Sequence, residues 1–321
     1  MSVSGRNAES RQARLLTDPA ALRLVAGNLD AIFLPGRGML GASLRHQGEE
    51  LLRRVEDLVA AAAKGSSAGI PLLHPWANRL ASAQYEAAGR KVILDLSSRL
   101  LHRDGNGLPM HGVGWALLAW EVYDAKPDRI AARLDWNRTD LLAVFPFRHC
   151  LEMTVTLRPD RLTVETTLVA GSDGPVPVSF GFHPYFGIPG LPRAQWRLTL
   201  PAMRRLLCDE RAIPSGGEEP VGAFDSPLGE TDFDDGFIVL EERPEFSLTG
   251  AGRRITVEFL AGYRYAQVFA PKDKDYVAIE PMTAATNALV SGRGLKLVEP
   301  GERFRAAFAV TVDSTAEFHT P

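Results

Sequence analysis

Residues 151–168 read LEMTVTLRPDRLTVETTL, and their pattern decides the fold. Leu151, Met153, Val155 and Leu157 alternate with Glu152, Thr154 and Thr156. Successive side chains of an extended strand point to opposite faces, so a period of two marks a strand with one buried face. Arg158-Pro159-Asp160 interrupts it, because proline presets a turn-compatible φ and aspartate bonds back to nearby amides. Leu162, Val164, Thr166 and Leu168 resume the alternation, which predicts a β-hairpin. The same period recurs in Ile255, Val257 and Phe259, again in Phe304, Ala306, Phe308, Val310 and Val312, and more weakly in Trp196, Leu198 and Leu200. Helical signal is sparse. Residues 54–64 (RVEDLVAAAAK), with Val55, Leu58 and Val59 on one side and Gly65 as a stop, predict one short helix. Residues 201–229, rich in Gly, Pro and acid, predict an irregular loop. Many short antiparallel strands with few short helices imply an all-β fold, a large antiparallel β-sandwich.

The chain has 321 residues, and all-β architectures often exceed about 250 residues as one domain. Residues 20–321 are expected to form that domain, after a polar segment, residues 1–19, expected to be disordered. The balance of 36 basic and 39 acidic residues, net −3, gives no field to hold nucleic acid or an anionic membrane. No apolar stretch approaches the roughly 20 residues of a membrane span, and the N-terminus lacks the apolar core of a secretory signal. Cys150 and Cys208 make no disulfide framework and sit in no metal-like spacing, so they are expected to be buried, inert thiols in a reducing cytoplasm. A phosphate-cradling glycine loop, an H-E-x-x-H helix and paired C-x-x-C motifs are all missing from the sequence.

Five segments carry candidate chemistry. His183 stands in Gly181-Phe182-His183-Pro184-Tyr185-Phe186-Gly187. Proline cannot pair in a central strand, so His183 falls where a strand stops, among aromatics and glycines. An imidazole there suits acid–base work near neutrality; it equally suits a structural bond to a backbone carbonyl. Glu280 stands in Val277-Ala278-Ile279-Glu280-Pro281-Met282-Thr283, a carboxylate at the end of an apolar run. Burial there is costly without partners or a task, and the alternative is a strand-end glutamate turned to solvent. The other three are Pro75-Trp76-Ala77-Asn78-Arg79, whose guanidinium suits hydroxyls, Pro109-Met110-His111-Gly112, and Phe233-Asp234-Asp235-Gly236-Phe237.

Taken in this order, Asn78-Arg79, His111-Gly112, His183-Pro184-Tyr185-Phe186, Asp234 with Phe237, and Glu280-Pro281-Met282-Thr283 resemble the aldose 1-epimerase (galactose mutarotase) family, from Gly41 to about Val312. The resemblance implies a β-sandwich isomerase that needs neither metal nor organic cofactor. It implies His183 as general acid and Glu280 as general base, with Asn78, Arg79, His111 and Asp234 binding the sugar. Glu280, ionised at pH 7, would take the C1 hydroxyl proton while His183 protonates the ring oxygen, the two lying on opposite sides of the anomeric centre. Trp76 or Trp115 would stack on the sugar or simply pack in the core. Residues 54–64 and 64–70 depart from the family pattern and look like a subfamily insertion, and the Asp234-Asp235 pair leaves the aspartate's register open. The family also includes members acting on phosphorylated sugars. A hexose 6-phosphate would call for extra rim cations such as Arg148 or Arg264. Two readings outside the family are a carbohydrate-binding sandwich without activity and a glycoside hydrolase using Asp234 and Glu280. The partner expected is a small-molecule sugar, with no nucleic acid and no membrane, in the cytoplasm.

Overall fold

The computed structural model describes residues 20–53, 55 and 68–315. The segment at 1–19 and the helix expected over 54–64 therefore lie outside the described residues, apart from Val55.

The 151–168 hairpin forms as its period requires. Strands His149–Leu157 and Arg161–Ala170 pair antiparallel with Leu157 opposite Leu162, and every second residue of each is buried. They sit inside a nine-stranded sheet that runs, edge to edge, Glu121–Lys126, Arg129–Trp136, His149–Leu157, Arg161–Ala170, Arg303–Ser314, Arg253–Ala261, Glu245–Gly250, Arg197–Leu200 and Phe224–Pro227. An eight-stranded sheet runs Pro214–Val221, Met203–Cys208, Phe233–Val239, Tyr265–Ala270, Val277–Met282, Gly181–Phe182 and Leu72–Leu73, with Tyr185–Phe186 also paired to Val277–Met282. Every pairing within these two sheets is antiparallel.

One apolar core joins them, with Met153, Val155, Val164 and Val310 from the larger sheet and Phe237, Val268 and Ile279 from the smaller. Phe182 meets Phe308 across the interface at a ring-centroid distance of 5.1 Å. Each such side chain contributes about 1.5–3 kcal/mol by leaving water. The fold is thus the expected large antiparallel sandwich, with short α-helices at Thr139–Val144 and Ala288–Ser291 among the described residues. No helix among them is long and apolar enough to cross a membrane.

Two expectations fail. Residues 201–229 are not irregular: they supply strands Met203–Cys208, Pro214–Val221 and Phe224–Pro227. Ion pairs across the hairpin hold this polar segment in register, Arg205 with the opposite Glu219 and Arg204 with Glu218 at 2.7 Å. The thiols are also not both buried. Cys150 is half-buried, its thiol pushed up to about 12 chiefly by desolvation, whereas Cys208 is exposed.

Candidate active site

The smaller sheet builds most of the site. Glu280 lies within strand Val277–Met282 opposite Gln267, and Gln267 lies opposite Gly236. Residues facing each other across an antiparallel ladder share a sheet face, and so do residues two apart. Glu280, Gln267 and Asp234 therefore share one face, while Val268, Ile279 and Phe237 point from the other into the core. Gly236 makes room, since a Cβ there would stand 3.1 Å from the Gln267 Oε1. Glu280 is neither at a strand end nor turned to solvent: it is 2% exposed.

His183 sits between Gly181–Phe182 and Tyr185–Phe186, its backbone N–H donating to the Pro71 carbonyl at 3.1 Å. Its ring lies 4.1 Å from the Tyr185 ring at an interplanar angle of 14°. Its Nε2 is 3.1 Å from Glu280 Oε1 and 3.1 Å from the Tyr185 hydroxyl. His183 Nδ1 and Glu280 Oε2 are buried with no hydrogen-bond partner among the described residues. Buried polar atoms are nearly always satisfied, so an orphaned nitrogen and oxygen on a contacting pair mark a place for a polar ligand.

A second group of residues comes from the bend at Asn78 and the strand Pro109–Val113. Asn78 (φ +58°) and His111 (φ +61°) both hold left-handed backbone conformations, a strain that persists only where the surroundings enforce it. The surroundings here are tight. A Cβ on Gly112 would lie 2.3 Å from the His74 carbonyl oxygen. The His111 N–H donates to the Asn78 carbonyl at 2.9 Å, and the Asn78 N–H donates to His111 Nδ1 at 3.2 Å. With Nδ1 accepting, the neutral ring carries its proton on Nε2, which becomes a donor.

From Arg79 a directed chain of hydrogen bonds crosses the site. Arg79 Nη1 donates to Asn78 Oδ1 at 3.0 Å, Asn78 Nδ2 to Gln267 Oε1 at 3.3 Å, and Gln267 Nε2 to Asp234 Oδ1 at 2.7 Å. This places Asp234 in the network, whereas Asp235 faces Arg205 at 3.6 Å. A cavity of about 360 Å³ adjoins the chain, lined by Asn78, Arg79, Gln267 and Asp234 among others. A larger cavity of about 880 Å³, lined by Arg53, Trp196 and Tyr276 among others, touches none of these four residues.

The structure thus gathers Asn78, Arg79 and Asp234 in one network, joins Asn78 to His111, and sets the His111 ring 5.6 Å from that of His183, which contacts Glu280. Trp76 and Trp115 are not at the site. Trp76 is fully buried in the main core and Trp115 packs in a separate apolar cluster. Arg148 pairs with Asp173 at 3.1 Å, and neither it nor Arg264 lines the smaller cavity. Sequence reasoning passed over Gln267, Tyr185 and the aspartate at 104. Gln267 does leave a trace, as a lone polar residue among Ala266, Val268 and Ala270. No group of three or more metal-ligating side chains occurs among the described residues.

Burial dominates the electrostatics. It pushes Glu280 well above the usual carboxylate range, helped by the Asp234 charge and opposed by Arg79. It holds His183 well below 6.5, with His111 adding to the shift. Both shifts favour the uncharged forms, opposite in sense to the ionised Glu280 expected from the sequence. The 3.1 Å contact sets the two groups side by side.

His111, lowered to about 3, and the buried partners His74 and His149, whose Nε2 atoms lie 2.9 Å apart, are likewise kept neutral mainly by desolvation. At these rings the folded protein thus binds fewer protons than the unfolded chain below pH 6.5, while the raised Glu280 partly offsets this by binding more. The stability held by these neutral rings is present above pH 6.5 and drains as pH falls toward about 4 for His149 and about 3 for His111. Each ring contributes a slope of about 1.4 kcal/mol per pH unit there. Urea unfolding at pH 7.5 and at pH 5 checks this, with a clearly lower midpoint expected at pH 5.

The pattern of an aldose 1-epimerase runs through residues 41–311. Solved structures with the same fold include the Slr1438 protein of Synechocystis sp. PCC 6803, 26% identical, with a TM-score of 0.75 over 93% of this chain and 97% of that one. A galactose mutarotase-like protein of Clostridium acetobutylicum, 19% identical, has a TM-score of 0.76 over 91% and 95%. The protein YihR of Escherichia coli (strain K12) is 23% identical over 75% of this chain and 80% of its own length. With the family pattern covering the strands and loops that build the site, the chain belongs to the aldose 1-epimerase family, whose members are isomerases.

Proposed function

We propose that the protein interconverts the α and β anomers of an unphosphorylated aldohexose by ring opening and reclosure. In this reading His183 and Glu280 carry the protons, while Asn78, Arg79, His111 and Asp234 bind sugar hydroxyls. The observation that carries it is the buried His183–Glu280 contact at 3.1 Å, with an unpartnered nitrogen and oxygen at its margins.

Mutarotation needs one proton to leave the hydroxyl at C1 while one reaches the ring oxygen, with no net gain or loss. A neutral pair joined by one hydrogen bond suits that balance. Its proton rests on Glu280 because burial disfavours charge, and Arg79 pulls toward the carboxylate. Transfer to Nε2 makes His183 the acid and Glu280 the base. The two groups meet the ring oxygen and the C1 hydroxyl, which share one carbon, from the same edge of the sugar. The C1 hydroxyl proton passes to Glu280 as the His183 proton passes to the ring oxygen, and the C1–O bond to the ring breaks. Rotation about C1–C2 and closure with the roles reversed gives the other anomer. Acid–base help of this kind is worth about 10²–10⁴-fold per group. The donors of His111 and Arg79 add the positioning contribution.

The cavity beside Arg79 bears Asp209, Glu210, Asp234 and Asp235 against Arg79 and Arg205, and both arginines are already ion-paired. That balance favours an uncharged sugar over a hexose 6-phosphate. Proton NMR exchange between the resolved anomeric signals tests this. Added protein is expected to speed anomer exchange of glucose or galactose and to leave glucose 6-phosphate at its buffer rate. Faster exchange on the phosphate than on both hexoses overturns the reading.

A further inference from the structure

A buried carboxylate outside the sequence motifs contacts Arg79. Asp104 opens the turn of the hairpin that joins Leu101–Arg103 to Pro109–Val113, the strand that also delivers His111. Its side chain is 6% exposed. Oδ1 accepts the backbone N–H groups of Asn106 and Leu108, both at 2.9 Å. Oδ2 accepts Arg79 Nε at 2.8 Å. The carboxylate is therefore fixed by its own turn before it meets the guanidinium. Desolvation raises its pKa, but the bonds from Leu108, Arg79 and Asn106 outweigh that and hold it below the ordinary value.

Two consequences follow for Arg79. Its Nε is held by Asp104 and its Nη1 by Asn78, so the guanidinium plane is set, and Nη2 has no partner among the described residues on a side chain that lines the 360 Å³ cavity. Its charge is also offset at contact distance by Asp104, though it still reaches Glu280 and His111, and Nη2 offers directed N–H donors. Oriented donors whose charge is offset suit sugar hydroxyls. A bare guanidinium suits phosphate and carboxylate.

We propose that Asp104 is a positioning residue that holds Arg79 for hydroxyl recognition and, by offsetting its charge, sets the site's preference for uncharged over anionic sugars. This rests on the mutarotase reading above.

The test is a cycle of Asp104→Asn, Arg79→Ala and the double variant. Asparagine keeps an acceptor for the Asn106 and Leu108 amides, so the turn persists while the charge and the Nε acceptor are lost. Asp104→Glu, which retains the charge, serves as a second variant, and thermal unfolding accompanies each. On galactose, Asp104→Asn is expected to lower kcat/KM by about 10–100-fold, mostly through KM, as for loss of a charged hydrogen bond. In the Arg79→Ala background the same change is expected to do almost nothing, because its effect passes through Arg79. Competitive inhibition by galactose 6-phosphate is expected to tighten in Asp104→Asn while galactose binding weakens, and Asp104→Glu is expected to restore part of the parent preference. Additive losses in the cycle, or equal weakening toward the neutral and phosphorylated sugars, overturn the assignment. A parent protein that accelerates no anomer exchange overturns the mutarotase reading instead, so the two failures are distinguishable.

Discussion

Glu280→Gln is expected to lower kcat for anomer exchange by about 10²–10⁴-fold while leaving the thermal midpoint close to that of the parent. The two halves of this result have separate causes. Proton transfer fails because an amide cannot accept the C1 hydroxyl proton. Stability persists because burial already holds the Glu280 carboxyl neutral, so the substitution removes no buried charge. The amide N–H group also replaces the carboxyl O–H as donor to His183 Nε2, across the same 3.1 Å contact. Breaking a buried ion pair costs about 3–5 kcal/mol through the charge left behind. A fall in stability of that size would show that Glu280 is ionised in the folded protein. Stopped-flow kinetics beside calorimetry measures both halves on one sample.

His183→Phe is the complementary substitution and carries the other large effect. Phenylalanine keeps the flat ring that stacks on Tyr185 at 4.1 Å but removes both nitrogens. A loss of about 10²–10⁴-fold in kcat is expected, with most of the packing preserved. The pH profile adds a sharper check. In the parent, the neutral pair is competent. It is lost at low pH when a second proton binds, at a pKa held well below 6.5 by burial of His183, and at high pH when its shared proton leaves, at a pKa raised well above 4.5 by burial of Glu280. The profile of kcat/KM should therefore be a broad plateau through neutrality with limbs that belong to the pair rather than to either residue. In His183→Phe the acid limb should vanish. An acid limb centred near 6.5 in the parent would mean an ordinary, solvated histidine.

The sandwich was legible because period-two alternation survives wherever one strand face is buried, as in the 151–168 hairpin. Residues 201–229 misled because their strands are stabilised by charged pairs such as Arg204–Glu218, and cross-strand pairing leaves no periodic trace in one strand read alone. The motif residues were legible from their flanking Pro, Gly and aromatic residues. Their partners were not. Gln267 matters because register sets it opposite Glu280, and Asp104 because a turn aims it at Arg79. Both depend on segments distant in sequence. The upward pKa shift of Glu280 was also beyond the sequence, since it follows from burial on a strand interior rather than at a strand end.

A single buried imidazole–carboxyl pair is proposed to move both protons of mutarotation. Polarimetry of freshly dissolved α-D-galactose with the parent, Glu280→Gln and His183→Phe proteins is the decisive measurement. Relaxation is expected to be faster than buffer with the parent and close to the buffer rate with either variant. A parent that leaves the buffer rate unchanged on both galactose and glucose, or a folded variant that retains the parent rate, would contradict the proposal.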